Sequence, residues 1–536
     1  MAALLAILSL ALWCQPAAAR EAVWASEPQD ISVTIYRDPY RYEGQEMNRN
    51  YPRGFALISE TRSVTLPPGE STIRFDGVSE GMVAVSAIVT GLPGGTIEKN
   101  RNADLLSPAA LVDGTLGNRV TITRMNPATG AEQAEPAIVR TRADGGIVLE
   151  TSQGFEAVRC SGLPEKLTFD RVPDGLSARP VYSVDTRSPE GGTYEVVLTY
   201  LSWGFDWQAH YVASFEGQDR RGNEQLRMRS WLSLLNDNGQ SFENAKLQAV
   251  AGELSIVSDF QSLAAPPRAR GLRLECYPIG STAAGSPYAS PPPAPPAPQN
   301  MRFKDEERII VTGALMADAA RMEAPVANLA SEEQLGDLKL YRISERVTVA
   351  SKSLKQIAFL DKDKVEGRLF YRSQCEVWND DLEPLGMQIV LETENDEDHG
   401  LGAALPMGGV TMFEQSADGE LLVGEDWLRD HAEGQDVELE IAQSSQVFST
   451  CTTDSEVSPY DPGYPWVPLS AVITNANPEP VTIKLKLGPS GEWRIRERLR
   501  GLSVEDGQWT LERTIAANRA EKFAWNIRYF AAESEE

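Results

Sequence analysis

Apolar and polar residues alternate with a period of two in nearly every readable segment of this chain. Clear examples are Ile31–Tyr36, Val83–Val89 and Tyr194–Tyr200. A strand places successive side chains on opposite faces of a sheet, so this alternation is typical of half-buried β-strands. Proline and glycine mark turns between the segments, as at Leu66–Glu70. The pattern predicts an all-β protein.

The spacing of the segments predicts several domains built from antiparallel β-sandwiches. Five short strands between residues 104 and 172 favour a small SH3-like barrel, because closure removes exposed strand edges. Seven prolines between Pro287 and Pro298 remove backbone donors and predict a solvated linker. The predicted parts are a signal peptide (1–19), an N-terminal β-domain (28–103), the barrel (104–172), two halves of a central sandwich (173–264 and 336–456), the linker (265–335) and an Ig-like sandwich (457–536).

The first nineteen residues carry no charged side chain, and Leu4–Trp13 is an apolar run. A run of about ten apolar residues matches a signal peptide and is too short to cross a bilayer. Three alanines end at Ala19, so we expect cleavage after that residue. Cys14 raises the alternative of a lipoprotein anchor, although the bulky Trp13 stands where a small residue is expected. The segment predicts a periplasmic or secreted protein with no transmembrane segment.

Composition argues against two classes of partner. The chain has 50 Lys and Arg against 77 Asp and Glu, a net charge of −27. A protein that binds nucleic acid or an anionic lipid surface needs clustered cationic side chains. We therefore expect no nucleic-acid partner. No nucleotide-binding or catalytic-triad motif stands out, and no cofactor is predicted.

Four cysteines remain after the predicted signal peptide. They are Cys160, Cys276, Cys375 and Cys451. An even number in an oxidising compartment allows two disulfides with three connectivities. Four buried free thiols are the alternative, since cysteine is among the most buried residue types. Their wide spacing fits no zinc pattern.

Two short segments carry the residues with most potential for binding. The acidic stretch around residues 392–400 offers Glu394, Asp396, Asp398 and His399 as ligands for a cation such as Ca²⁺, or it is a solvated acidic loop. The turn-rich stretch 460–466 offers Tyr460, Tyr464 and Trp466 as an exposed aromatic patch, or it plugs a domain contact. Within the predicted linker, Glu306–Gly313 resembles the short segment near the amino terminus of outer-membrane TonB-dependent receptors, which suggests strand addition to a periplasmic partner.

Six segments, taken in order, resemble a family of secreted bacterial proteins. They are Val33–Tyr36, Leu66–Gly69, Ile73–Val78, Leu198–Tyr211, Asn244–Gly252 and Trp493–Ile495. The family is called mucoidy-inhibitor-like, and its two recognised domains are both of unknown function. Its members often carry a helical coiled-coil insertion in the amino-terminal half, and this chain shows no heptads there. The resemblance implies that the chain shares the fold of this family, that it is exported, and that it has a connection to the cell envelope or exopolysaccharide.

Three functions are compatible with these features. The first is a non-enzymatic binding or scaffold protein with a protein or polysaccharide partner in the cell envelope. The second is a polysaccharide-binding or carbohydrate-active sandwich protein. The third is a metal-dependent hydrolase. The sequence contains no motif that identifies a reaction.

Overall fold

Strand makes up 60% of the computed structural model and helix 4%, which confirms the predicted all-β class with several sheets. The structure describes residues 20–102, 106–143, 146–158, 165–173, 176–220, 222–252, 254–264, 331–335, 338–378, 381, 383–453, 457–496 and 499–530. No helix within these ranges is long and apolar enough to span a membrane. The predicted signal peptide, Cys160, Cys276, the prolines between residues 287 and 298, and Glu306–Gly313 lie outside the described residues.

The elements of the amino-terminal half are β1 (Glu21–Trp24), β2 (Asp30–Tyr36), β3 (Gly54–Leu66), β4 (Gly69–Asp76), a 3-10 helix (Ala84–Ser86), β5 (Ile88–Thr90), β6 (Glu98–Asn102), α1 (Pro108–Gly114), β7 (Arg119–Met125), β8 (Glu132–Val139), β9 (Val148–Thr151), β10 (Gly154–Ala157), β11 (Glu165–Thr168), β12 (Val181–Ser188), β13 (Gly192–Gln218), β14 (Glu224–Asn236), β15 (Phe242–Ala251) and α2 (Phe260–Ala264). Those that follow are β16 (Ser331–Leu335), β17 (Leu338–Arg342), β18 (Val347–Val349), β19 (Ser353–Gln374), β20 (Leu385–Glu394), β21 (Gly408–Ser416), β22 (Gly419–Leu428), β23 (Asp436–Thr453), β24 (Val467–Asn475), β25 (Val481–Pro489), β26 (Trp493–Ile495), β27 (Leu502–Glu505), β28 (Gln508–Ile515) and β29 (Arg519–Tyr529).

Two smaller sheets belong to the amino-terminal part. One has the strand order β1-β4-β12-β6, with β1 parallel to β4. The other has the order β10-β9-β8-β7-β11, and all its pairs are antiparallel. This second sheet contains the five strands for which the SH3-like barrel was predicted. The barrel topology stays a prediction.

Two sandwiches repeat one strand topology. In the first, β2 pairs with β3, β3 with β13, β13 with β14 and β14 with β19, while β15 lies parallel to β2. In the second, the end of β19 pairs with β20, β20 with β23, β23 with β24 and β24 with β29, while β25 lies parallel to β19. The chain therefore builds the same arrangement twice. β19 is shared, because its first part closes one sandwich and its last part opens the other.

A buried asparagine occupies the same place in both sandwiches. Asn236 ends β14 and Asn475 ends β24. Each side-chain amide donates to the carbonyl four residues ahead at 2.9 Å, and each accepts the N–H two residues ahead at 2.9 Å. A further bond runs from each amide to the carbonyl of the residue that follows a distant strand, Ala350 after β18 and Ala516 after β28, both at 3.1 Å. These bonds satisfy backbone groups at the turn between β14 and β15 and at the turn between β24 and β25.

Each sandwich has its own hydrophobic core, but these cores do not follow the predicted boundaries. The first includes Ile31 of β2 together with Trp207 of β13 and Leu439 of β23. The predicted N-terminal domain at 28–103 therefore shares a core with the central sandwich. The second core joins Met387 of β20 to Trp525 of β29, so residues 457–536 share theirs with earlier strands.

Candidate functional site

The turn-rich loop between β23 and β24 carries the aromatic residues that the sequence singled out. Asp461 fixes this loop, because its carboxylate accepts the Ser458 N–H at 3.1 Å and its carbonyl accepts the Tyr464 N–H at 2.9 Å. The rings of Tyr460 and Tyr464 both contact Tyr529 on β29. The loop thus presses two tyrosines against the last strand of the second sandwich.

Trp378 extends this cluster into a larger aromatic surface. Its ring stacks on Tyr460 with centroids 5.5 Å apart and planes 20° apart. Tyr529 supports Tyr460 edge-on at 4.7 Å, and the buried Trp493 lies 5.4 Å from Tyr529. The exposed fractions are 61% for Trp378, 47% for Tyr460 and 41% for Tyr464. We call these three side chains the aromatic platform, and exposed apolar side chains that lie together make it a candidate interaction surface.

Trp466 was predicted to belong to the same patch, but the structure places it elsewhere. It is half-buried, and the Arg528 guanidinium lies 6.0 Å from its ring. It has no ring contact with the platform in the part of the chain that the structure describes. Trp466 therefore packs beside the site without enlarging the stacked surface.

A disulfide holds Trp378 beside the loop. Cys375 and Cys451 are bonded, with their Cα atoms 5.6 Å apart. The Thr453 hydroxyl also donates to the Val377 carbonyl at 2.9 Å. These links join the end of β19 to the end of β23, and Trp378 and the loop follow shortly after them. Two of the four predicted cysteines therefore form a bond that shapes the platform.

Polar groups adjoin the aromatic surface. Burial raises the pKa of Tyr460, and Tyr529 and Glu492 add to the shift. The Tyr460 hydroxyl is therefore neutral at physiological pH and can donate a hydrogen bond. Glu492 lies close enough to Tyr460 for its charge to act on the hydroxyl. The platform can thus combine stacking with hydrogen bonds at its rim.

The acidic stretch forms a second candidate site at the end of β20. The ligand atoms of Glu394, Asp396 and His399 lie within 4.8 Å of one another. Asp396 accepts the His399 backbone N–H at 2.7 Å and lies 2.8 Å from its Nδ1. Asp398 was predicted as a fourth ligand, but it is exposed and is not part of this group. The set offers one nitrogen and two carboxylate ligands, which suits Zn²⁺.

Asp396 and His399 shift each other's pKa in opposite directions. The hydrogen bond that the His399 ring donates to Asp396 is the largest cause that raises the pKa of His399, and Glu394 adds to it. The hydrogen bond from the His399 backbone is the largest cause that lowers the pKa of Asp396. The pair therefore favours an imidazolium next to a carboxylate, and a cation must displace that proton in order to bind.

A cavity of about 220 Å³ lies next to this group. Glu394 and His399 line it together with Glu366, Glu392 and Asp436. Arg368 donates to Glu392 at 2.7 Å and neutralises part of the wall. The cavity is small and acidic, so it suits a cation better than an anion.

Comparison with protein-family models, curated proteins and solved structures finds no match for this chain.

Proposed function

We propose that this chain is a non-enzymatic binding protein of the bacterial cell envelope and that the aromatic platform binds a polysaccharide. Export is part of the proposal and rests on the uncharged first nineteen residues. The resemblance to the mucoidy-inhibitor-like family supports the same compartment. The observation that carries the proposal is the stacked, exposed pair of Trp378 and Tyr460 with Tyr464 beside it.

The chemistry of the platform favours a sugar as ligand. An aromatic ring has a negative face. The C–H face of a pyranose ring is weakly positive, so it stacks on such a surface. The neutral Tyr460 hydroxyl and the polar groups of the rim can bond to sugar hydroxyls. A linear polysaccharide can repeat these contacts along the platform.

Replacing Trp378 or Tyr460 with alanine is expected to weaken polysaccharide binding by about tenfold or more, since central aromatic residues dominate such surfaces. Soluble bacterial exopolysaccharides and glycan-strand fragments serve as probes. Affinity electrophoresis measures retardation, and the shift of tryptophan emission reports contact with Trp378.

Phe155 provides the matched control. It is 71% exposed and lies on the separate five-stranded sheet. Phe155→Ala should leave binding unchanged. Equal binding by wild type and both platform variants would refute the assignment. A different result would make the platform a protein-docking surface instead. In that case the wild type binds a periplasmic protein but no glycan, and the platform variants lose the binding of that protein.

A metal-dependent hydrolase is the second candidate function. Its support is the group of Glu394, Asp396 and His399, two members of which line a cavity. A cation held there would face that cavity and could polarise a bound substrate. The cavity is small, so the substrate would enter only by its reacting group.

NMR titration of His399 tests the second candidate. We expect its pKa to lie above the ordinary value of 6.5, and Asp396→Asn should lower it. The stability that the folded protein gains from the raised pKa of His399 is fully present below pH 6.5, and it is lost as the pH rises through the pKa of His399 in the folded state. That contribution is small, because the side chain is 41% exposed and solvent screens it. Zinc should bind His399 more tightly as the pH rises above the pKa of the ring, because the ring must lose its proton before a cation can bind.

His210 is the control for this titration, since it is exposed on β13 and does not belong to the group. His399→Ala should remove zinc binding, and His210→Ala should not. A His399 resonance that zinc leaves unchanged at alkaline pH would exclude the second candidate.

A further inference from the structure

A larger cavity, of about 580 Å³, lies where the two sandwiches meet. Its volume is within the range of about 300–1,000 Å³ that small-molecule sites occupy. The cavity is lined by Leu369 and Tyr371 from β19, Ile389 from β20 and Ile441 from β23. Phe215 at the end of β13 lines the opposite side. The walls therefore offer an apolar surface to a ligand.

Three carboxylates line the same cavity. They belong to Glu216, Glu224 and Glu414. Glu216 and Glu414 are exposed, whereas Glu224 is only 7% exposed. Within the described residues none of the three has a Lys, Arg or His partner. The amide of Gln218 donates to Glu224 at 2.6 Å, which satisfies one of its oxygens but supplies no positive charge.

The buried carboxylate is the unusual element of this cavity. Burial is the largest cause that raises the pKa of Glu224, and the charge of Glu414 raises it further. A buried charge without a counterion is costly, and a cation that entered the cavity would compensate it. In the described part of the chain the three carboxylates do not converge as a metal-ligand group. The compensating charge is therefore better supplied by an organic cation than by a metal ion.

We propose that this cavity binds a small amphiphilic amine, with its ammonium group against Glu224 and its apolar body along the wall formed by β19, β20 and β23. The carboxylates lie on β13, β14 and β21, and most of the apolar groups lie on β19, β20 and β23. Such a ligand would therefore contact both. The site is separate from the aromatic platform and does not depend on the function proposed for it.

Isothermal titration of the full-length protein with phenylbutylammonium tests the proposal. Phenylbutanol and phenylbutyrate are the matched controls, because they have nearly the same apolar body. Phenylbutanol carries no charge, and phenylbutyrate carries a negative charge. We expect the ammonium to bind with one molecule per chain and the other two compounds to bind at least about tenfold more weakly. Glu224→Gln should weaken ammonium binding by about tenfold or more, because it removes the buried charge at nearly constant volume.

Two further variants separate a specific effect from a loss of folding. Val423→Trp adds bulk at a half-buried residue of the cavity wall and should weaken binding without changing charge. Glu195→Gln removes one exposed carboxylate at the opposite end of β13 and should leave binding unchanged. Thermal melting confirms that each variant folds. Equal binding of phenylbutanol and phenylbutylammonium, or unchanged binding in Glu224→Gln, would overturn the proposal.

Discussion

Replacing Arg62 with methionine is expected to lower the free energy of unfolding by about 3–5 kcal/mol, because it leaves the buried Glu60 carboxylate without its cationic partner. Arg62 and Glu60 are each 1% exposed and lie on the inward face of β3. The guanidinium donates to one oxygen of Glu60 at 2.9 and 2.6 Å. The Tyr200 hydroxyl donates to the other oxygen at 2.8 Å. Urea denaturation of wild type and variant measures the difference.

A double variant distinguishes the loss of an ion pair from general damage to the core. Glu60→Leu combined with Arg62→Met removes both charges, and it should recover most of the lost stability. The exposed pair of Arg187 and Glu70 supplies the control, and Arg187→Met should leave the unfolding midpoint nearly unchanged. If Arg62→Met unfolds at the same urea concentration as wild type, the buried pair does not stabilise this sandwich.

The same pair explains why β3 is hard to recognise in the sequence. The alternation that predicts strands depends on apolar residues at every second position. In β3 the inward positions include Glu60 and Arg62 between Ile58 and Val64. Two consecutive inward positions are therefore charged, and only the tertiary contact with Tyr200 on the neighbouring strand makes them interior residues. Local pattern cannot supply that information.

The division into domains was less predictable than the strands. The alternation in Lys355–Phe359 and Leu369–Arg372 predicts strands correctly, but it does not show that both belong to one strand, β19. The repetition of the sandwich topology was also not visible, because alternation predicts strands without specifying which strands pair. Asn236 and Asn475 are the one sign of this repetition that we find in the sequence, since each begins an Asn-x-Asn triplet at the end of a strand.

The site was predictable only where its residues are close in sequence. The loop residues Tyr460 and Tyr464 follow from turn composition and aromatic content. Trp378 does not, because it lies more than eighty residues earlier in the connection between β19 and β20. Its place beside Tyr460 depends on the pairing of Cys375 with Cys451, which is one of several pairings that four cysteines allow.

Replacing Cys375 and Cys451 with serine is expected to destabilise the second sandwich by about 4 kcal/mol, given that the bond closes a loop with a sequence separation of 76. Both cysteines are buried in the core that contains Trp525. Hydrogen exchange resolves the effect by region. Protection should fall in β24 and β25 and stay unchanged in β13 and β14, which belong to the other core.

The same double variant separates two roles of the disulfide at the platform. Hydrogen bonds from Thr453 to Val377, and between Asp381 and Cys451, also join these segments. If the disulfide positions Trp378, polysaccharide binding should weaken in the variant even where the protein is fully folded, and Tyr460→Ala should then add little. If binding is retained at wild-type strength in the folded variant, the hydrogen bonds alone hold Trp378 in place. The disulfide would then act only on stability.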